Sequence, residues 1–383
     1  MIIANIADFR EAARRRLPHF LFEYIDGGAY AEVTLRRNIQ DLEAISLRRR
    51  VLRDISDIDT STELFGQRVA MPVVLAPVGI AGLNARRGEC QAVRAAQRAG
   101  GPFTRSTVSA CSLAEVRAAA KAPFWFQLYM IRDRPFMRDL LAQAAQAGCT
   151  ALVFTVDLPI PGTRYRDQRS GLAGAPGLTG RLRRLGQVLM RPGWAWDVGV
   201  RGRPHALGNI APLLKGSSGI EDFMAWMSAN FDPGIRWNDL DFIRSEWKGP
   251  LIIKGILDLE DARQAAALGA DGLVVSNHGG RQLDGALSSA RALPAIAQAV
   301  GDRLTVLADG GVRSGLDVLR MLALGARGVM LGRAWAYALG AQGEAGGEKM
   351  LSIIASELRT PMGVTGTRRI AEVGSSLIAE GSG

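Results

Sequence analysis

The chain has 383 residues, of which 48% are hydrophobic and 22% are charged, and this balance is typical of a globular protein with a large core. Its three histidines and three cysteines are too few and too widely spaced for a multi-histidine metal centre or a disulfide framework, so we predict no metal site. No signal-peptide pattern and no bilayer-spanning apolar run is visible, so we expect a cytoplasmic or peripheral protein.

The net charge of +10 is concentrated in one part of the sequence. Between Arg164 and Lys215, ten Lys or Arg residues are opposed only by Asp167 and Asp197, which leaves a local excess of +8. Such an asymmetry predicts a surface for an anionic partner, either a membrane or a nucleic acid. Because the segment contains no recognisable nucleic-acid-binding module, we expect no nucleic acid partner.

Residues 1–70 precede the first predicted strand, and the helical pattern of their opening half predicts a segment that flanks the main fold. Eight short apolar runs follow, and their continuous apolar character is typical of strands that are buried on both faces of a parallel sheet. The predicted strands are Met71–Pro77, Pro102–Thr107, Phe124–Tyr129, Ala151–Asp157, Pro250–Gly255, Gly272–His278, Leu304–Gly310 and Gly328–Arg333.

Amphipathic helices are predicted between these strands, most clearly over Glu89–Ala99, Pro135–Ala147, Leu259–Leu268 and Leu316–Leu324. Gly148, Gly269 and Gly325 follow three of them and are typical helix stops. Eight strand–helix units predict an α/β protein with a (β/α)8 TIM barrel. A doubly wound open sheet is disfavoured, because residues 76–79 do not supply its glycine-rich turn.

We predict a single domain over residues 1–383, with a long insertion at residues 170–239 after the fourth strand. The insertion is basic in its first part and contains Trp194, Trp196, Trp226 and Trp237. Loops of this length are usually functional or mobile. The glycine-rich tail at residues 380–383 is expected to be disordered.

Polar residues recur at the C-terminal tips of the predicted strands. In a (β/α)8 barrel the active site is built at this face from several strand ends, so a ring of polar tips predicts one polar pocket. The tip residues are Ser106, Gln127, Tyr129, Thr155, Asp157, Lys254, Ser276, His278, Asp309 and Arg333.

The strongest local signal is the run Ser-Asn-His-Gly-Gly-Arg-Gln at residues 276–282. His278 offers a base that titrates near neutral pH, and Arg281 offers an anchor for a carboxylate. Asp157 is a candidate partner that would orient the imidazole and stabilise its cationic form. The two intervening glycines allow backbone to approach a ligand closely.

A second signal follows the last two strands, where Asp309-Gly310-Gly311-Val312-Arg313 and Gly332-Arg333 occur. The loops after strands seven and eight form a phosphate site in many barrels, so a phosphorylated ligand is predicted here. Lys254 ends an otherwise apolar strand, where a charge is costly unless it meets an anion. It could form a Schiff base, as in an aldolase or isomerase, or face an electron-accepting ring.

On these residues the chain resembles the FMN-dependent 2-hydroxy-acid oxidase and dehydrogenase family, which includes glycolate oxidase, flavocytochrome-type lactate dehydrogenase and mandelate dehydrogenase. The resemblance extends from Leu17-Pro18 and the run at residues 24–29 to Gly332-Arg333, and residues 276–282 are its most specific part. It is greatest to the quinone-linked L-lactate dehydrogenases of bacteria. The resemblance therefore implies FMN as cofactor, L-lactate oxidation to pyruvate, and quinone as electron acceptor; (S)-mandelate and glycolate are the alternative substrates.

The resemblance also implies roles for individual residues. His278 would remove a proton from the substrate with support from Asp157, and Lys254 would stabilise the reduced ring of the cofactor. The substrate-binding residues would be Tyr24, Tyr129, Arg164 and Arg281. The cofactor-binding residues would be Ala76, Pro77, Val78, Gly79, Ser106, Gln127, Thr155, Lys254, Ser276, Asp309, Gly310, Gly311, Arg313, Gly332 and Arg333.

Two positions depart from the oxidases of the family, which often carry Ala in place of Gly79 and an aromatic residue in place of Val108. Gly79 resembles the dehydrogenase members, and Val108 implies a differently shaped substrate pocket. Residues 181–191, with Trp194 and Trp196, mix cations, aliphatic residues and aromatics in a way that suits anionic lipid headgroups. We therefore expect residues 170–215 to attach the protein peripherally to the cytoplasmic face of the inner membrane, and relatives imply a homotetramer.

Overall fold

The computed structural model describes residues 1–173, 177–203, 205, 208–210, 226 and 229–381. Lys215, other parts of the predicted insertion and the last two residues of the predicted disordered tail lie outside the described residues. The predicted helical opening of the chain is confirmed by α1 (Ile6–Arg16), α2 (His19–Asp26) and α3 (Val33–Glu43). A capping box between Asn5 and Asp8 begins α1, since each side chain accepts from the backbone N–H of the other residue.

The strands confirm the predicted (β/α)8 barrel. After an antiparallel hairpin of β1 (Thr62–Leu64) and β2 (Gln67–Val69), eight strands form one parallel sheet. They are β3 (Val73–Leu75), β4 (Thr104–Arg105), β5 (Phe124–Tyr129), β6 (Cys149–Thr155), β7 (Leu251–Ile256), β8 (Gly272–Val275), β9 (Thr305–Ala308) and β10 (Gly328–Leu331). The order is β3-β10-β9-β8-β7-β6-β5-β4, and a parallel bridge between Leu75 and Phe103 joins the two ends.

Helices surround the strands. The four helices that were predicted have bounds within one residue of the predicted ones. The helices are α4 (Gly88–Arg98), α5 (Leu113–Ala119), α6 (Arg134–Gln146), α7 (Tyr165–Ser170), α8 (Leu178–Leu189), α9 (Pro192–Trp194), α10 (Asp239–Glu246), α11 (Leu259–Ala267), α12 (Ser289–Val300), α13 (Gly315–Ala323) and α14 (Arg333–Thr365). The predicted stops Gly148, Gly269 and Gly325 have φ values of 76°, 76° and 109°, which favour glycine.

Two apolar layers hold the barrel together. One fills its interior and includes Val74, Trp125, Ile252 and Val274, all with exposures of 0%. Phe65, in the turn of the β1–β2 hairpin, packs edge-on against Trp125 at 5.5 Å between ring centroids and so closes the N-terminal end. The larger layer lies between the strands and the helices. With this end closed, the open end for a ligand is the one formed by the C-terminal tips of the strands.

Six of the eight strands end two or three residues before the predicted boundary. Pro77, Asp157, His278 and Gly310, for example, lie beyond the last paired residues of their strands. These tips leave the ladder because their side chains or backbone turn towards the open end of the barrel. The difference therefore marks the residues available to a site.

The described part of the insertion is largely helical, with α8 and α9 followed by a π-helix at Ala195–Val200. Trp196 is 62% exposed, in agreement with a surface role. The prediction that Trp194 lies at the membrane surface is wrong, because its side chain is 6% exposed and its Nε1 donates to the Leu83 carbonyl at 2.8 Å. Its indole serves instead to pack the insertion against the barrel.

The three cysteines, Cys90, Cys111 and Cys149, are buried free thiols. Within the described residues, no helix is both long and apolar enough to cross a membrane.

Candidate active site

A cavity of about 370 Å³ opens at the C-terminal ends of the barrel strands. It brings together residues from almost every strand tip, from the end of α2 and from the loop after β6. Of the residues predicted for the site, the cavity is lined by Tyr24, Ala76, Pro77, Val78, Gly79, Tyr129, Thr155, Arg164, Lys254, His278, Arg281, Asp309, Gly310, Gly311, Arg313, Gly332 and Arg333. Asp157, Gln127 and Ser276 are hydrogen-bonded to residues of this lining, and Ser106 is hydrogen-bonded to Gln127.

His278 and Asp157 form the predicted pair, with 2.8 Å between Nδ1 of the imidazole and Oδ1 of the carboxylate. Burial opposes the ionised form of Asp157, but the interactions with His278 and the charge of Lys254 together outweigh burial, so the pKa of the carboxyl lies below its usual value. An ionised carboxylate only accepts hydrogen bonds, so Nδ1 is the nitrogen that donates to Asp157, and the lone pair of a neutral imidazole held this way is on Nε2. His278 is therefore arranged to act as a base through Nε2.

The backbone around His278 is left-handed over three consecutive residues, with φ values of 56° at His278, 63° at Gly279 and 73° at Gly280. A Cβ on Gly280 would lie 2.6 Å from the backbone nitrogen of Leu35, so only glycine fits against α3 there. This tight turn redirects the chain after β8 and presents the imidazole to the cavity. Positive φ at a histidine is uncommon, and such positions concentrate at functional sites.

Two guanidinium groups flank the ring of Tyr24, with Arg281 at 5.0 Å and Arg164 at 6.0 Å from its centroid. Burial and the like charge of Arg164 lower the pKa of Arg281 to about 10, so it stays charged at neutral pH. Within the described residues, the only carboxylate that pairs with either group is Asp167, whose Oδ2 lies 3.6 Å from Arg164. The site therefore carries excess positive charge that a substrate carboxylate would relieve.

One wall of the cavity is apolar and closely packed. A Cβ placed on Gly79 would lie 2.9 Å from Cγ2 of Val108 and 3.4 Å from the Tyr24 hydroxyl. Leu158 and Pro161 also line the cavity. The shape of this wall depends directly on the pairing of Gly79 with Val108.

Lys254 is buried at the tip of β7, and its Nζ lies 2.8 Å from both Oδ2 of Asp309 and Oγ of Ser276. Burial alone would lower the pKa of this ammonium, but Asp309 and Asp157 outweigh burial and raise it. A protonated amine is a poor nucleophile, so this environment disfavours the imine chemistry of an aldolase or isomerase. It suits a fixed positive charge that faces an electron-rich ligand.

A chain of hydrogen bonds links the tips of β4, β5 and β6. Oγ of Ser106 donates to Oε1 of Gln127 at 3.0 Å, and Nε2 of Gln127 donates to Oγ1 of Thr155 at 3.1 Å. All three residues are buried. The chain fixes which atoms of the amide and hydroxyl groups remain available to a planar ligand above it.

The predicted phosphate loops lie together at one end of the cavity. Gly310 and Gly311 have φ values of 95° and 84°, which aim their loop at the cavity in a conformation that favours glycine. Among the described residues, the guanidinium of Arg313 donates only to the neighbouring Val312 carbonyl, at 2.8 Å. Burial and the charge of Arg281 lower the pKa of Arg333 to about 9. These features fit a bound dianion.

Sequence reasoning did not predict that the C-terminal end of α2 supports the guanidinium groups of Arg281 and Arg333. The Gly27 carbonyl accepts from Nη1 of Arg281 and from Nη2 of Arg333, each at 2.9 Å. It also missed Asp167, although its spacing of three residues from Arg164 was a visible signal. Asp167 is buried, and its Oδ1 has no hydrogen-bond partner among the described residues.

Enzymes with a (β/α)8 barrel carry their active sites in a polar cavity at the carboxyl ends of the strands, as is found here. A family model described as FMN-dependent dehydrogenase matches residues 13–380. The chain belongs to the FMN-dependent dehydrogenase family.

Relatives similar over the full length support this assignment. The L-lactate dehydrogenase of Caulobacter vibrioides (strain NA1000 / CB15N) is 66% identical over 380 residues, which cover 99% of this chain and 98% of the relative. The L-lactate dehydrogenase of Stenotrophomonas maltophilia (strain R551-3) is 61% identical over 374 residues, which cover 98% of each chain.

Among solved structures, the monotopic membrane protein (S)-mandelate dehydrogenase matches with a TM-score of 0.92 and 32% identity. The match covers 99% of this chain and 100% of the other. A mandelate oxidase matches with a TM-score of 0.83 and 37% identity, and the match covers 99% and 98% of the two chains.

Proposed function

We propose that this protein oxidises L-lactate to pyruvate with bound FMN and passes the electrons to a membrane quinone. The observation that carries the proposal is the arrangement of one cavity. In it, the His278–Asp157 pair and two arginines lie next to a loop suited to phosphate. The 66% identity to an L-lactate dehydrogenase supports lactate as the substrate.

The residues present fit FMN. Arg313 and Arg333 lack carboxylate partners among the described residues and would hold the phosphate, together with Gly310, Gly311 and Gly332. A Cβ on Gly332 would meet nothing within 4 Å, so the cavity leaves open space at that position. Ser106, Gln127, Thr155 and Ser276 would surround the ring, with Ala76, Pro77, Val78 and Gly79 at its other side. Bound FMN supplies a two-electron acceptor.

The substrate is held by its carboxylate and its hydroxyl group. Arg164 and Arg281 would bind the carboxylate, which neutralises their mutual repulsion. Tyr24 and Tyr129 would contact the substrate through their hydroxyls. Nε2 of His278 accepts a proton from the substrate, and Asp157 stabilises the imidazolium that results. Lys254 supplies fixed positive charge beside the ring edge.

An (S)-mandelate dehydrogenase is the second candidate, because a monotopic protein of that name has the same fold with a TM-score of 0.92. Lactate carries a methyl group where mandelate carries a phenyl ring, so the two demand different space beside Val108. The identity of 66% to an L-lactate dehydrogenase, against 32% for the mandelate enzyme, favours lactate.

Anaerobic titration of the purified protein tests the proposal. The protein is expected to be yellow, and L-lactate is expected to bleach the flavin absorbance faster than (S)-mandelate or glycolate at equal concentration. Bleaching by mandelate alone would transfer the assignment to that substrate. Absence of a flavin, together with borohydride trapping of a substrate on Lys254, would overturn the flavin chemistry altogether.

The membrane part of the proposal rests on the surface of α8. Leu178, Leu182, Leu185 and Leu189 recur at helical spacing and are 53–72% exposed, which makes one apolar ridge. Arginines accompany the ridge, and Met190 and Trp196 extend it. This combination suits insertion into the headgroup region of an anionic bilayer. We propose peripheral attachment to the cytoplasmic face of the inner membrane and, by relation to the family, a homotetramer.

A further inference from the structure

Phe231 lies where the insertion returns to the barrel. It forms an antiparallel bridge with Ile131, directly after β5. The backbone N–H of Asp232 donates to the Met130 carbonyl at 3.1 Å, and that of Arg132 donates to the Asn230 carbonyl at 2.9 Å. The returning segment is therefore paired with the continuation of the strand that ends in Tyr129.

The side chain of Phe231 packs directly on Tyr129. The two ring centroids are 4.8 Å apart, with 32° between the ring planes. Trp226 meets Phe231 edge-on from another side, at 6.1 Å. Phe231 is 3% exposed and is not among the described residues that line the cavity, whereas Tyr129 is. Phe231 thus lies behind the tyrosine, on the side of its ring that is turned away from a substrate.

Polar contacts hold the backbone around Phe231 in place. Nε of Arg132 donates to the Phe231 carbonyl at 3.2 Å. The guanidinium of Arg134 pairs with the carboxylate of Asp232 at 2.7 Å. Polar contacts therefore hold the backbone at Phe231 and at the residue that follows it, so the position of the Phe231 ring does not depend on Tyr129.

We propose that Phe231 is a positioning residue for substrate recognition, and that it acts by holding the phenol ring of Tyr129. The proposal rests on the proposed function, in which the Tyr129 hydroxyl contacts the substrate. A tyrosine hydroxyl lies at the far end of two rotatable bonds, so a small tilt of the ring displaces it considerably. An aromatic neighbour that packs on the ring restricts this tilt. The insertion would then be part of the site as well as a surface feature.

A double-mutant cycle tests the proposal in the FMN-loaded protein. Phe231→Ala, Tyr129→Phe and the double variant are compared with the parent by stopped-flow anaerobic reduction with L-lactate. In the parent, Phe231→Ala is expected to lower the ratio of the limiting reduction rate to the substrate Kd by about tenfold. In the Tyr129→Phe background, the same change is expected to cost less than about twofold, because the hydroxyl that it displaces is already absent.

Controls separate this effect from a general loss of packing. Phe9→Ala removes an equally buried phenylalanine from α1 and is expected to lower thermal stability without any dependence on Tyr129. If Phe231→Ala does not fold with FMN, Phe231→Leu replaces it in the same cycle. Equal losses from Phe231→Ala with and without the Tyr129 hydroxyl would overturn the positioning role. A parent that retains FMN but is not reduced by L-lactate would instead overturn the proposed function.

Discussion

At the scale of single residues, the site depends on charges that are buried but paired. The imidazole of His278 has a carboxylate on one nitrogen, and the ammonium of Lys254 has a carboxylate and a hydroxyl. The guanidinium groups of Arg281 and Arg333 rest mainly on backbone carbonyls. Backbone carbonyls neutralise a cation only in part, so these two arginines remain available to anionic ligands.

Replacement of His278 by alanine tests the assignment of the base. FMN is expected to stay bound, because none of the residues assigned to its phosphate is altered. Flavin reduction by L-lactate is expected to slow by about 10²–10⁴-fold, since no other group replaces the proton acceptor. Stopped-flow absorbance measures the rate, and His19→Ala, which removes an exposed histidine on α2, serves as the control. A near-parental rate in His278→Ala would show that another group is the base.

At the scale of elements, α8 differs from the barrel helices because it exposes its apolar face. Helices such as α13 bury their apolar residues against the strands, whereas α8 buries only Gly180 and Gln187. Gln187 is hydrogen-bonded on both sides, to the backbone N–H of Phe20 and to the Ser170 carbonyl, each at 2.8 Å. The helix is therefore attached through a polar residue, and its leucines are left for another partner.

Replacement of two leucines on the apolar ridge by glutamate is expected to release the protein from membranes. The double variant Leu182→Glu/Leu185→Glu should partition into anionic vesicles at least about tenfold more weakly, because it loses apolar burial and gains repulsion from the headgroups. Reduction by L-lactate should be unchanged. Leu52→Glu, a change at a fully exposed leucine outside the ridge, is the matched control in vesicle cosedimentation. Undiminished sedimentation of the double variant would exclude the ridge as the membrane contact.

At the scale of the whole molecule, the flanking helices are tied to the barrel at Asp26. Its buried carboxylate accepts from Arg10 on α1 at 2.5 and 2.8 Å, from Arg166 on α7 at 2.7 Å and from Tyr337 on α14 at 2.6 Å. Burial favours the neutral acid, but these hydrogen bonds outweigh burial and hold the pKa of Asp26 well below its usual range. The neighbouring Gly27 carbonyl supports both Arg281 and Arg333.

Asp26→Asn is expected to lower the free energy of unfolding by about 3 kcal/mol near neutral pH, because two guanidinium groups lose a buried carboxylate. The pKa of Asp26 is lower in the folded state, so its contribution is complete above the ordinary carboxyl value of about 4. It is lost as the pH falls below that value. Thermal unfolding of parent and variant should therefore show a difference in the free energy of unfolding that is constant from pH 8 to about pH 4. This difference should narrow from there to pH 3.

The exposed carboxylate of Glu11 provides the comparison for this series. It pairs with Arg14 and Arg15 on the surface of α1, and Glu11→Gln is expected to change the unfolding temperature little, since solvent screens such pairs. A gap between parent and Asp26→Asn that does not narrow in acid would mean that the loss comes from packing and not from charge.

The sequence by itself determined the barrel and many of the residues that line its cavity, because both depend on local patterns. Eight apolar runs marked the strands, and polar tips such as Thr155, Lys254 and His278 line the cavity, since every strand of a parallel barrel points the same way. Tyr24 and Arg164, which lie outside the strands, were indicated only by the family resemblance. The sequence also predicted that Asp157 meets His278. Only the tertiary structure decided two other meetings of distant groups, the Gly27 carbonyl with two arginines and Phe231 with Tyr129. It also buried Trp194, which local composition had assigned to the surface. Such contacts depend on how the barrel closes and how the insertion returns to it, and neither leaves a periodic signal in the chain.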